Sequence, residues 1–249
     1  MDNTTKFTGK ADKYAASRPS YPNKMVKSFY DCFNFNTSSV VADIGSGTGI
    51  LTKELLAEGY YVYAVEPNEN MRHFAEKDLS SFKNFISVNA TAESTTLSDS
   101  SVDFITVAQA FHWFDTEKFK AECKRILKQN GKIFLIWNNR DSNSPINKDL
   151  FDINKQFCKA FTGFSGGTHN NDDKIKLFFD NCYQIEYFEN PIFYDKESFV
   201  NRALSSSYAL SPLDNNYSDY VKALNDLFDK YAQNELVKVA NNTKMYYNI

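Results

Sequence analysis

Gly45, Gly47 and Gly49 place three of the chain's nine glycines within five positions of the stretch VVADIGSGTGILTKELL, residues 40–56. Glycine serves where backbone must take positive φ or approach another group closely. One glycine would satisfy a tight turn, whereas three at alternate positions between an apolar run and a helix-like stretch point to a ligand lying on bare main chain. Glu66 follows Gly45 by 21 residues, at the end of the run YVYAVE. A carboxylate there can accept both hydroxyls of a ribose. The spacing is GxGxG rather than the GxGxxG that cradles a dinucleotide pyrophosphate, and nothing else in the chain resembles a phosphate clamp.

A second group of candidates lies in QAFHWFD, residues 109–115. His112 has the residue type whose unperturbed pKa of ~6.5 suits proton removal at neutral pH; the other reading is that it orients its loop while Phe111, Trp113 and Phe114 pack the next helix. Arg18, in SRPSYP, either grips a carboxylate through a paired guanidinium contact or is a surface arginine before a proline turn. Trp137 and Arg140 close the run GKIFLIWNNR, and Ser205, Ser207 and Tyr208 cluster in NRALSSSYAL; each can border a pocket or serve packing and helix ends. The histidines His73, His112 and His169 lack zinc-site spacing, so no metal is implied.

These residues need elements to hold them. VVADI, ending at glycine, reads as a strand buried on both faces of a parallel sheet. A helix is predicted from Gly49 to Glu58, a second strand over Tyr61–Glu66, and a second helix over residues 68–79 with Asn68 as N-cap. Strands over Phe85–Val88 and Val102–Ala108, a helix in TEKFKAECKRILK and a fifth strand over Gly131–Asn139 continue the alternation. Such order implies right-handed crossovers and a doubly wound, Rossmann-like α/β sheet. Beyond Asn139 a helix is expected over Ser144–Phe161, a loop in GFSGGTHNNDD, one strand over Tyr183–Tyr194, helices over Lys196–Leu204 and Tyr217–Gln233, and a last strand in TKMYYNI.

The bulk composition fits this scheme. A chain of 249 residues with 42% hydrophobic content can bury one sizeable core. Its net charge of −3 and interspersed Lys, Arg, Asp and Glu supply no basic footprint for nucleic acid. No run approaches the ~18 apolar residues of a membrane span, and the N-terminus has no apolar signal core. Cys32, Cys123, Cys158 and Cys182 form no CxxC pair and read as buried, reduced thiols. A soluble, cytoplasmic protein is expected, with a small molecule as its partner.

VVADIGSGTG followed by AVEPN resembles motifs I and II of the class I S-adenosylmethionine (SAM)-dependent methyltransferases. ATAESTTLSDSSVDFITVAQAFHWFD and ILKQNGKIFLIW resemble the later parts of the same core, and FTGKADKYAASRPSYP with AQAFHWFD resembles the small-molecule branch that includes trans-aconitate methyltransferases. The resemblance covers residues 7–140. It implies a seven-stranded sheet of order 3-2-1-4-5-7-6 in one domain over residues 1–249: N-terminal lid helices over 1–35, a SAM-binding core over 36–140, and a C-terminal part over 141–249 whose helical insertion, about 195–235, precedes the last strand on the substrate side.

By the same resemblance, Gly45, Ser46, Gly47 and Gly49 would face the methionine part of the cofactor with Asp43 beneath them. Glu66 would take the ribose, and Pro67 and Met71 would pack near adenine. The family has Asp where this chain has Thr91, which offers a hydroxyl or its backbone; Ala92 and Glu93 are further adenine contacts, and Ala108 ends the fourth strand beside them. Tyr14 and Arg18 would come from the lid. Gln109, Phe111, Trp113, Trp137, Arg140 and Tyr208 would face the acceptor, with Tyr14, Phe111 and Trp113 as aromatic walls, each attracting a cationic methyl donor by roughly 0.5–2 kcal/mol.

The implied activity is methyl transfer from SAM to a small acceptor, through a carboxylate or another oxygen, leaving S-adenosylhomocysteine. Carbon methylation in quinone or lipid biosynthesis, a catalytically silent SAM-binding module and an NAD-dependent dehydrogenase are the rivals.

Overall fold

The computed structural model describes residues 19–164, 172–206 and 208–249. Tyr14, Arg18, His169 and Ser207 lie outside the described residues. The chain divides into two units, described separately: unit 1 contains residues 19–138, 172–188 and 243–249, and unit 2 contains residues 139–164, 189–206 and 208–242.

Unit 1 is built on the apolar runs. β1 (Val40–Ile44), β2 (Tyr61–Val65), β3 (Phe85–Val88) and β4 (Val102–Ala108) pair in parallel, with Val41 opposite Val62 and Phe104, and Val62 opposite Phe85. β5 (Leu127–Arg140) follows β4 in parallel. It begins four residues before the predicted Gly131. Val102 pairs with Leu127 but Phe104 with Lys132, so residues around Asn130, at φ +66°, bulge out of the ladder and pairing starts ahead of the glycine.

The sheet ends in β6 (Tyr183–Glu189) and β9 (Asn241–Asn248), giving the order β3-β2-β1-β4-β5-β9-β6. This is the doubly wound topology predicted from the sequence, with β9 as its seventh strand. Ile133 N–H donates to Asn248 Oδ1 while Asn138 lies against Thr243, so β9 runs antiparallel to β5. The single strand expected over Tyr183–Tyr194 is broken at Asn190–Pro191. Pro191 has no N–H for the ladder, and β7 (Ile192–Tyr194) pairs instead with the short β8 (Val237–Val239) in a separate antiparallel sheet.

Alternation along the strands sends neighbouring side chains to opposite faces. Ala42, Ile44, Ile105, Val107, Leu135 and Trp137 form one core with α4 (Thr116–Ile126) and α6 (Asp172–Phe178) through Phe119, Cys123, Ile175 and Phe178. Val41, Val62, Phe104, Phe134 and Ile136 form the other with α1 (Asn23–Asp31), α2 (Ile50–Ala57) and α3 (Glu69–Asp78) through Phe29, Leu55 and Leu79. α6 was not anticipated; Asp172 and Asp173 in its first turn favour the helix dipole, and Ile175 and Phe178 supply its buried face.

In unit 2, α5 (Pro145–Phe157), α7 (Lys196–Leu204) and α8 (Tyr217–Tyr231) bury Ile146, Leu150, Phe199, Leu224 and Phe228 with Val237 and Val239 of β8. Two of its buried polar side chains tie elements together: the Tyr220 hydroxyl donates to Asn154 Oδ1 at 2.8 Å, and Asn147 Nδ2 donates to the carbonyls of Asp141 and Ala240.

All four cysteines are free, and only Cys123 and Cys158 are buried; the expectation of buried thiols fails for Cys32 and Cys182, which are exposed. Among the described residues no helix is long and apolar enough to cross a membrane.

Candidate functional site

Parallel strands β1, β2, β3 and β4 deliver their following loops to one edge of the sheet, the edge at which open α/β sheets bind ligands. Gly45 N–H donates to the Val65 carbonyl at 2.8 Å and Glu66 N–H to the Val88 carbonyl at 3.0 Å, so the three loops step along that edge in register.

The glycines of the first loop answer to different constraints. Gly45 has φ +69°, and a Cβ there would lie 2.6 Å from Ala110 Cβ, in the loop after β4. Its missing side chain is thus accounted for by the protein itself. Gly47, at φ +57°, is different: a Cβ would meet only Met71 Sδ, at an ordinary 3.7 Å. Gly47 is therefore the glycine of this loop at which no tight packing contact excludes a side chain. Gly49 caps α2 without a side-chain hydrogen bond. The reading of three alternate glycines as ligand approach therefore reduces to Gly47 and its neighbour Ser46, with Gly45 and Gly49 shaping and packing the turn. Thr48 Oγ1, buried in the same loop, has no hydrogen-bond partner among the described residues.

Glu66 is buried, and its carboxylate accepts the N–H groups of Gly47 at 2.9 Å and Asn68 at 2.8 Å. Burial raises its pKa above the usual carboxylate value, against the lowering effect of those two hydrogen bonds and of nearby Arg72. Each carboxylate oxygen keeps a further acceptor position. Asp43, one strand over, is fully buried and accepts the hydroxyls of Thr52 at 2.6 Å and Thr106 at 2.8 Å. Burial dominates there and pushes its pKa up to about 6, opposed by those hydroxyls. Asp43 thus ties β1 to β4 and α2 below the glycine loop.

The adenine-side candidates are also placed. Met71, in the first turn of α3, is buried beneath Gly47, and its N–H is capped by Asn68 Oδ1. Pro67 is partly buried. In the loop after β3, Ala92 is buried and Thr91 exposed. Glu93 is engaged, accepting Asp115 N–H at 2.9 Å. That loop is held from below by Glu122, which accepts Thr95 N–H at 2.7 Å and is gripped by Arg125; the Arg125 contact lowers the Glu122 pKa to about 2, against the opposing effect of burial.

After β4, Ala108 leads into Gln109, a non-glycine residue at φ +59° whose side-chain amide donates to the Asn138 carbonyl at 3.2 Å. Such strain persists where the surroundings enforce it, and it clusters at functional edges. Phe111–Trp113 form one 3₁₀ turn. Phe111 is fully buried among Phe119, Trp137 and Phe178, while His112 and Trp113 are partly exposed with ring centroids 4.6 Å apart. Trp137 is also fully buried, edge-on to Phe111 and Tyr246, and its Nε1 has no acceptor among the described residues. Gly45, Ser46, Gly47, Glu66, Met71, Gln109 and His112 are all in unit 1; Arg140 and Tyr208 are in unit 2.

Two positioning residues escaped sequence reasoning. Arg72 Nη1 donates to the Glu66 carbonyl and to Asn89 Oδ1, both at 3.1 Å, bracing the loops after β2 and β3. Asn138 Nδ2 donates to the carbonyls of Pro19 and Ser20, fastening the chain ahead of α1 to the end of β5. The Arg72 spacing from Glu66 is one helical turn past the Asn68 cap, a signal the sequence did contain. A cavity lined by Phe33, Lys132, Glu186 and Tyr247 also exists in unit 1, but none of the predicted site residues lines it.

The sheet order and this carboxyl-edge site define the class I methyltransferase fold. Residues 42–135 match the family described as "Methyltransferase domain". The chain is 35% identical over 133 residues to an uncharacterized methyltransferase of Schizosaccharomyces pombe, covering 53% of this chain and 52% of that protein. It is 34% identical over 152 residues to an uncharacterized methyltransferase of Mycobacterium bovis, covering 61% and 60%. The matched stretch thus spans little more than half the length of these curated relatives. In fold, the chain superposes on a provisionally named type II methyltransferase from Anaeromyxobacter dehalogenans with a TM-score of 0.63 at 18% identity, covering 93% of this chain and 95% of that one. Over residues 42–135 the chain is similar to the methyltransferase-domain family, and its fold is that of the class I methyltransferases.

Proposed function

We propose that the protein transfers a methyl group from SAM to a small-molecule acceptor, at a carboxylate or another oxygen. The observation that carries this reading is the pairing of an open main-chain position at Gly47 with the Glu66 carboxylate, whose oxygens are oriented by Gly47 and Asn68 and retain acceptor capacity. This donor set fits the cofactor. Bare backbone suits the amino-acid tail, a doubly accepting carboxylate suits the two ribose hydroxyls, and the apolar Met71 and Ala92 suit the flat base.

When bound, SAM supplies a methyl group activated on a positively charged sulfur. The residues of this chain align, desolvate and neutralise. Ser46 and Gly47 would hold the tail; Glu66 would fix the sugar and, with it, the direction of the reactive sulfur. Asp43, below the loop, would favour the cofactor's ammonium electrostatically through the hydroxyls of Thr52 and Thr106 rather than by open contact. Trp113 would offer a ring to the cationic centre. A carboxylate acceptor needs no general base, and for a hydroxyl acceptor His112 would take the proton.

Incubating the protein with methyl-labelled SAM and a fractionated metabolite extract tests this reading. Label transferred to an acidic small molecule, with S-adenosylhomocysteine formed in equal amount, is the expected result. Tight SAM binding with no transfer to any fraction would instead support a silent binding module.

A further inference from the structure

We infer that Arg72 is the positioning residue for the nucleoside half of the cofactor site: its guanidinium clamps the loop that carries Glu66 to the turn after β3, and so sets how tightly the sugar and base are held. The inference rests on the SAM-binding reading and names what governs one half of that site; every residue involved belongs to unit 1.

A sugar-side carboxylate is useful only if the main chain beneath it is fixed. Glu66 follows β2, and its N–H donates to the Val88 carbonyl of β3 at 3.0 Å. Its side chain is oriented by the N–H groups of Gly47 and Asn68. The carbonyl side of the same residue is held by Arg72, whose Nη1 donates to it at 3.1 Å and also reaches the Pro67 carbonyl at 3.4 Å. Without that donor, the peptide that sets the direction of the carboxylate would lose one of its anchors.

The same nitrogen reaches the neighbouring turn, donating to Asn89 Oδ1 at 3.1 Å. Nη1 has two hydrogens and three acceptors around it, so one hydrogen is shared and both turns are held at once. The direction of the guanidinium is itself fixed along α3: Nε lies 3.6 Å from the Glu76 carboxylate, one helical turn on, and Glu76 Oε1 accepts the Ser87 hydroxyl of β3 at 2.6 Å. The Arg72 side chain is only 15% exposed, so water competes little for these contacts. Asn89 leads into Thr91 and Ala92, the base-side residues, and Arg72 follows Met71, whose sulfur lies against Gly47. The sugar-side acid, the base-side turn and the apolar floor are thus tied to one planar group. Lysine would keep the charge, but a point charge on a flexible stem cannot span the same acceptors.

The test is calorimetry on the full chain with S-adenosylhomocysteine and with 5′-methylthioadenosine, which keeps the nucleoside and lacks the amino-acid tail. Arg72→Met should weaken both ligands by the same factor, roughly tenfold, and Arg72→Lys should recover only part of the loss. Lys53→Gln removes the exposed ion pair to Asp78 at the far end of α3 and should change neither affinity. Without ligand, the Ala90 N–H, bonded to the Val88 carbonyl, should exchange faster with deuterated solvent in Arg72→Met than in the unmodified protein. Should Arg72→Met fail to fold, Asn89→Ala, which removes one acceptor of the clamp, should show a smaller loss shared equally by the two ligands. A loss confined to S-adenosylhomocysteine, full recovery by lysine, unchanged Ala90 exchange, or undiminished binding by folded Arg72→Met would overturn the inference and leave the cofactor reading intact. No affinity of the unmodified protein for either ligand would overturn both.

Discussion

Unit 1 and unit 2 use charge in opposite ways. In unit 1 the buried or half-buried charges are structural fasteners: Asp43 joins β1 to α2 and β4, Glu122 and Arg125 hold the loop after β3, and Arg72 braces two adjacent turns. In unit 2 the ion pairs are lysine–aspartate contacts with considerable exposure, while Arg140 lies over the Phe164 ring with no acid within ion-pair distance among the described residues. Exposed pairs contribute little to stability. The contrast teaches that charge in unit 1 sets backbone position.

The contrast can be broken most forcibly at the glycine loop. Gly45→Val should cost about 3 kcal/mol or more in denaturant unfolding, because a side chain would meet Ala110 while φ stays positive. Gly47→Ala, with φ positive but space above it, should cost only about 1 kcal/mol. Equal losses at the two positions would contradict the assignment of Gly45 to packing and Gly47 to the ligand.

A pH series sharpens the fastener claim next. Asp43 has its folded pKa raised from 3.8 to about 6, so the folded state holds the proton more tightly than the unfolded chain. Its contribution is fully present below pH 3.8 and is lost as pH rises through about 6. The full effect is about 3 kcal/mol, and Asp43→Asn should abolish that slope. An unchanged slope in the variant would show that Asp43 does not titrate in this window. Glu122 has the opposite sign: lowered from 4.5 to about 2, it stabilises the fold above pH 4.5, and that contribution disappears as pH falls toward 2. Glu122→Gln should flatten the acid limb, by about 1 kcal/mol given the exposure of its partner Arg125.

The smallest effect belongs to unit 2. Arg202→Gln removes no ion pair among the described residues and relieves a like charge on Arg140, so the melting temperature should stay the same or rise slightly. A clear fall would mean that Arg202 already has a stabilising partner.

Much of unit 1 was legible because its signals are local. A β-branched run ending at glycine, an Asn cap before an amphipathic stretch and an acid at the end of the second strand each carry their own physical meaning. β1, β2, β4 and α3 follow from them, while the order of the sheet was implied by the resemblance to the class I methyltransferases. What escaped depends on partners distant in sequence. The bulge at Asn130 exists only because β5 must keep pairing with β4, and β8 is three residues that gain strand identity from β7 alone. The reason for Gly45 lies in Ala110, sixty-five positions away. Arg140 was legible as a pocket candidate, but its place over the Phe164 ring, twenty-four positions on, was not.

Calorimetric titration of the folded protein with S-adenosylhomocysteine tests the central claim most directly, with Glu66→Gln in parallel. One saturable site is expected in the unmodified protein and at least tenfold weaker binding in a variant that keeps the same far-ultraviolet circular dichroism. No heat and no affinity in the unmodified folded protein would contradict the claim.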